Sequence, residues 1–94
     1  MLQDFDFILF MVELTDSEKK ILLKINDICI LSLKEHVSVK LLYNILSKDY
    51  LWITIRELER KGLIASYKEY NFKMIYLTRN GVRVTDALAL IRSV

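Results

Sequence analysis

The stretch from Ser47 to Leu63, SKDYLWITIRELERKGL, constrains this chain more than any other. Leu51, Ile55 and Leu58 recur at i, i+4 and i+7, the spacing that lays one apolar stripe along a helix of about four turns. Ser47 is placed to cap the start of that helix. Gly62 is placed to stop it, because glycine takes the left-handed conformation without a steric cost, and Leu63 can then pack back onto the last turn. The far side carries Asp49, Trp52, Ile53, Arg56 and Arg60. A helix with one buried stripe and a basic, partly aromatic outer side needs a platform behind it, and the rest of the chain has to supply that platform.

The chain has 94 residues, enough for one small core, and 53% of them are apolar, with a mean hydropathy of +0.26. So much apolar surface in so small a domain predicts that part of it lies at a subunit interface. Residues 5–14, FDFILFMVEL, begin as an alternation and become continuously apolar, and periodicity does not decide between strand and helix there. The longest apolar run, Phe7 to Val12, is too short to span a bilayer, and it lacks the basic start and cleavage site of a signal peptide, so a cytoplasmic location and no membrane partner are expected.

Thr15-Asp16-Ser17-Glu18 has the form of a capping box. It opens a first helix expected over Asp16 to Leu33, with Ile21, Leu22, Ile25, Ile28, Cys29 and Leu33 on one face and Leu23 and Ile30 nearly opposite. Lys34 to Val37 reads as a connection in which His36 is solvated. Ser38 then caps a second helix, about Val39 to Leu46, with Leu42, Ile45 and Leu46 inward, and a tight turn leads straight into the Ser47 stretch. Ile64 to Glu69 and Lys73 to Leu77 are two β-prone runs around Tyr70-Asn71-Phe72, which predicts a hairpin with Lys68 and Lys73 near its tip. Thr78 caps a last helix, Arg79 to about Ser93, whose apolar set Val84, Ala87, Leu88, Leu90, Ile91 and Val94 covers an arc of roughly 160°. That arc is wide for a helix touching only its own domain and predicts half of a dimer contact centred on Val84, Leu88 and Ile91.

The order helix, helix, tight turn, helix, hairpin, helix is that of a winged helix-turn-helix domain. At the level of residues, Leu58-Glu59-Arg60-Lys61-Gly62-Leu63-Ile64 resembles the end of the recognition helix in winged-helix regulators of the MarR and PadR kind. Tyr76-Leu77-Thr78-Arg79-Asn80-Gly81 resembles the string with which those proteins leave the wing and enter the next helix. The resemblance covers roughly residues 15–88. It implies an α+β, mainly α fold with a three-helix core, a β-hairpin wing and a C-terminal dimerisation helix. The expected layout is a single domain over 1–94, with an N-terminal apolar segment over 1–14, the winged-helix core over 15–78 and the C-terminal helix over 79–94.

The resemblance further implies a homodimeric transcriptional regulator of double-stranded DNA, with the third helix in the major groove and the wing along the backbone. Lys48, Tyr50, Arg56, Lys68 and Lys73 fall at positions that commonly touch DNA in such proteins, and Arg60 lies on the same outer side of the helix. Trp52 and Ile53 depart from the small polar residues usual there. They either contact thymine methyls or make a docking surface for a protein partner, which is the alternative reading. Charge agrees with the DNA reading. Residues 1–15 carry three acidic side chains and no Lys or Arg, whereas Lys48 to Arg83 carry eight basic residues against four acidic ones. One His, one Cys, scattered carboxylates and the lack of a glycine-rich phosphate loop offer no catalytic pair and no ligand cluster, so no enzyme activity, metal or cofactor is expected. Cys29 reads as a packing residue, and nothing in the sequence specifies a small-molecule effector.

Overall fold

A computed structural model describes residues 13–93; most of the N-terminal apolar segment, residues 1–12, and the terminal Val94 lie outside the described residues. Helix α1 runs over Asp16–Ser32, strand β1 over His36–Ser38, a 3-10 turn over Val39–Leu42 and helix α2 over Lys48–Arg60. Strands β2, Ile64–Glu69, and β3, Phe72–Leu77, form a hairpin, and helix α3 follows over Arg79–Ser93. The three strands make one antiparallel sheet in the order β1-β3-β2.

The capping box forms as its sequence predicts. Thr15 Oγ1 accepts from the Glu18 amide at 3.1 Å, and Glu18 Oε1 accepts from the Thr15 amide at 3.0 Å. From α1, Ile21, Leu22 and Ile25 enter the core. The helix stops one residue short of the expected end. Leu33 takes a left-handed φ of 56° and is 92% exposed, so it belongs to no apolar face. Leu23 is half-buried against the core, whereas Ile30 is exposed.

Two expected elements change. The connection at His36 is a strand in which Val37 is buried opposite Ile75; three residues are too few to show a period-two pattern in sequence. The expected helix over residues 39–46 is a single 3-10 turn capped by Ser38, and Tyr43 and Ile45 continue its i to i+3 bonding with amides that reach the Lys40 and Leu42 carbonyls. It still places Val39 and Leu42 in the core. Ser47 does not cap α2 through its hydroxyl; only its carbonyl engages the helix, accepting from Leu51 N at 2.8 Å.

Leu51, Ile55 and Leu58 are buried, as their spacing predicts. The end of α2 is a Schellman motif. Gly62 N donates to the Glu59 carbonyl and Leu63 N to the Leu58 carbonyl, both at 3.0 Å, with Gly62 at a φ of +76°. The chain then turns directly into β2, with Leu63 and Ile64 buried. A second junction closes on this one. Thr78 N donates to the Leu63 carbonyl, Thr78 Oγ1 donates to the Gly62 carbonyl, and Thr78 Oγ1 also accepts from Gly81 N at 3.1 Å to cap α3. The start of α3 is thus fastened to the end of α2, which fixes the hairpin beside that helix.

On α3, Val84 is fully buried and Leu88 nearly so, both in the domain's own core. This corrects the expectation that they are free for a partner. Ile91 lies on the same stripe of the helix but beyond the point where the core ends, and it and Leu90 are 62% and 70% exposed.

Candidate nucleic-acid interface

The outer side of α2 is built by the same periodicity that buries its stripe. Taking Leu51, Ile55 and Leu58 as the inward direction, Ile53, Arg56 and Arg60 fall nearly opposite at about 100° per residue. The structure has all three exposed, together with Lys48, Asp49 and Tyr50 near the helix start. Ile53 is 57% exposed, so an apolar side chain stands in the middle of this polar side. Arg60 is engaged within its own helix: its Nη2 and Nε donate to Glu57 Oε2 at 2.8 and 3.1 Å. Those bonds hold the Glu57 carboxyl below its ordinary range. Among the described residues Arg56 has no ion-pair partner, and it is exposed on the outer side.

Trp52 is placed differently from its sequence expectation. It lies about 90° from the centre of the buried stripe, on the flank of α2, and the hairpin folds over that flank. The indole is half-buried against the core, and Lys73 Nζ sits over its ring at 5.0 Å from the centroid. Lys73 is also 3.8 Å from Glu59 Oε1, so the hairpin is strapped to α2 by a cation between a ring and a carboxylate. Lys68 is the exposed residue directly opposite Lys73 in the β2-β3 register. Tyr70 and Asn71 form the tip, with Tyr70 at a φ of 55°.

Lys40 and Tyr43 escaped the sequence reading. They lie on the 3-10 turn, and with Trp52, Phe72 and the two hairpin lysines they line a cleft of about 240 Å³ between that turn, α2 and the hairpin. Their approach depends on how the hairpin folds back, which local periodicity does not report. His36 is likewise not simply solvated. Its ring stacks on Tyr76 at 4.8 Å between centroids, and its Nδ1 is hydrogen-bonded to the Tyr67 hydroxyl at 2.5 Å. Cys29 is half-buried, its Sγ reaches the Glu35 carbonyl at 3.5 Å, and burial, followed by the nearby Glu35 charge, raises its thiol above the usual range. Among the described residues no three His, Cys, Asp or Glu side chains gather as a metal site, and no helix is long and apolar enough to cross a membrane.

No protein-family model and no curated protein matches the sequence. The fold does have a solved counterpart. The chain superposes on a crystal structure of a mutant MarR from E. coli complexed with operator DNA, with a TM-score of 0.69 over 87% of this chain. The domain is a winged helix. The identity over that match is 16%, and this chain spans 58% of the other chain's length, so the likeness is one of fold. In winged-helix terms the 3-10 turn and α2 occupy the helix-turn-helix position, and β2 and β3 are the wing.

Proposed function

We propose that this winged helix binds double-stranded DNA sequence-specifically, as a homodimeric transcriptional regulator in the cytoplasm, with α2 in the major groove and the wing along the backbone. The observation that carries this reading is the outer side of α2. Lys48, Tyr50, Ile53 and Arg56 are exposed there, on a helix anchored by four buried residues and a Schellman stop. An α-helix fits the major groove, an Arg can donate two hydrogen bonds to a guanine edge, and an aliphatic side chain such as Ile53 suits a thymine methyl. Lys68 on the wing is positioned for phosphate, and Arg60 and Lys73 would reach DNA by exchanging Glu57 and Glu59 for it. The structural neighbour's own complex with operator DNA is consistent with this use of the fold.

The second copy has a natural place. Ile91 continues the apolar stripe of α3 past the end of the core, and a two-fold contact there would cover it together with exposed Leu90. A protein partner docking on Trp52 and Ile53 together is less well supported, because Trp52 is half-buried beneath Lys73 and does not share an open surface with Ile53.

On this reading, duplex affinity falls with salt along a log-log slope of roughly −0.9 per phosphate neutralised. Arg56→Ala, which removes an exposed side chain, weakens binding to the preferred sequence by about tenfold or more and leaves the melting temperature unchanged. Fluorescence anisotropy of a labelled duplex over a salt series measures both. No detectable binding at low salt contradicts the proposal.

A further inference from the structure

The cleft between the 3-10 turn, α2 and the wing has a charge pattern that the fold alone does not explain. Lys68 and Lys73 are directly opposite on adjacent strands, and alternation puts both on the same face as buried Ile75, the face toward α2. Like charges directly opposite across a sheet are destabilising. A third lysine, Lys40, joins them from a different element. Lys73 has one carboxylate within 4 Å, Glu59, at 3.8 Å; among the described residues neither Lys40 nor Lys68 has an acidic partner at ion-pair distance. Three lysines therefore line a cleft of about 240 Å³, with one marginal counter-charge, Glu59, beside Lys73.

The aromatic residues of the cleft serve these cations. Lys40 Nζ lies over the Phe72 ring at 4.6 Å and Lys73 Nζ over the Trp52 ring at 5.0 Å. A ring face attracts an ammonium group without neutralising it. Lys40 and Lys73 are thus each seated on a ring that leaves the charge in place, which lowers the ordering cost of meeting an anion. Three lysines on one cleft, two of them seated on rings and only one near a carboxylate, are the chemistry of a phosphate site.

We propose that Lys40, Lys68 and Lys73 form a phosphate-binding site in this cleft, with Phe72 and Trp52 as seats for two of the ammonium groups. The inference deepens the DNA reading, on which the phosphate is one of the bound strand's own, and it adds Lys40, on the helix-turn-helix, to the residues of the wing. A free diphosphate presents the same chemistry. An anion on Lys73 changes the charge that sits over the Trp52 ring, so the emission of the only tryptophan reports occupancy.

The test uses the full chain and two probes, inorganic pyrophosphate and duplex DNA, each titrated at constant ionic strength while Trp52 emission is followed. Lys40→Gln is the informative variant, because Lys40 is exposed and outside every ion pair described; Lys24→Gln, exposed on α1 and outside the cleft, controls for net charge. The expected result is a saturable change in Trp52 emission with both probes, an affinity loss of about tenfold in Lys40→Gln but not in Lys24→Gln, and a duplex salt slope smaller by about 0.9. A response to pyrophosphate without duplex binding upholds the cleft and overturns the DNA reading. Lys40-dependent duplex binding without a pyrophosphate response upholds the cleft with the strand as its only source of phosphate. Duplex binding unchanged by Lys40→Gln, with Trp52 indifferent to pyrophosphate, overturns the cleft and leaves the DNA reading standing. Indifference to both probes overturns both.

Discussion

Gly81→Ala is expected to unfold the domain or to lower its stability by at least about 3 kcal/mol, the upper part of the range for overpacking, because the atom it strikes is backbone. A Cβ at Gly81 would lie 1.8 Å from the Leu63 carbonyl oxygen and 2.9 Å from its carbon. Nothing there can rotate away, since the same oxygen accepts from Thr78 N and is held by it. Relief requires the start of α3 to move off the end of α2, which breaks the Thr78 bonds to Gly62 and Leu63 together. Gly62→Ala is the natural comparison. Its φ of +76° strains any L side chain, but a Cβ there meets nothing within 4 Å, so about 1–2 kcal/mol is expected. Urea midpoints of the two variants measure the difference. Equal midpoints would show that the contact at Gly81 is not fixed.

The second large effect is expected at Lys61. Its Nζ donates to both oxygens of Glu18, at 3.0 and 2.8 Å, and the two side chains are only 17% and 4% exposed. Glu18 Oε1 also closes the capping box of α1, so one carboxylate joins the start of α1 to the end of α2. Lys61→Met leaves that carboxylate buried without its cation, at a cost of about 3 kcal/mol. Adding Glu18→Gln removes the charge that was stranded, and the double variant should recover more than half of the loss. A double-mutant cycle by denaturant unfolding reads the coupling directly. If Glu18→Gln and Lys61→Met simply add, the two residues do not act as a pair.

These two sites explain why the fold was legible in the sequence. In the string Leu58 to Ile64, Leu58, Leu63 and Ile64 are core, Lys61 pairs with Glu18, and Gly62 makes the left-handed stop. In the string Tyr76 to Gly81, Thr78 bonds back to Gly62 and Leu63, and Gly81 gives the room for that contact. The strings occur together because they bond to each other. What they encode is the junction of helix, wing and next helix, and none of those residues is thereby assigned to DNA.

The candidate interface was legible only in part. Ile53 and Arg56 lie nearly opposite the buried stripe, and periodicity places them correctly. Trp52 lies on the flank, where its exposure is decided by Lys73, on the far strand of the hairpin. Lys40 was hidden by a similar effect, on a turn whose relation to the wing is purely tertiary. On α3 the pattern gave the correct stripe but not the place where the core ends, which separates buried Val84 and Leu88 from exposed Ile91.

The central claim is that the outer side of α2 reads a duplex sequence, and that two copies do so together. Selection of bound duplexes from a random pool tests it most directly. The account predicts enrichment of one two-fold symmetric sequence, with half-sites about 34 Å apart, and loss of that enrichment in Arg56→Ala. A pool that returns no preferred sequence, or the same sequence with and without Arg56, would contradict it.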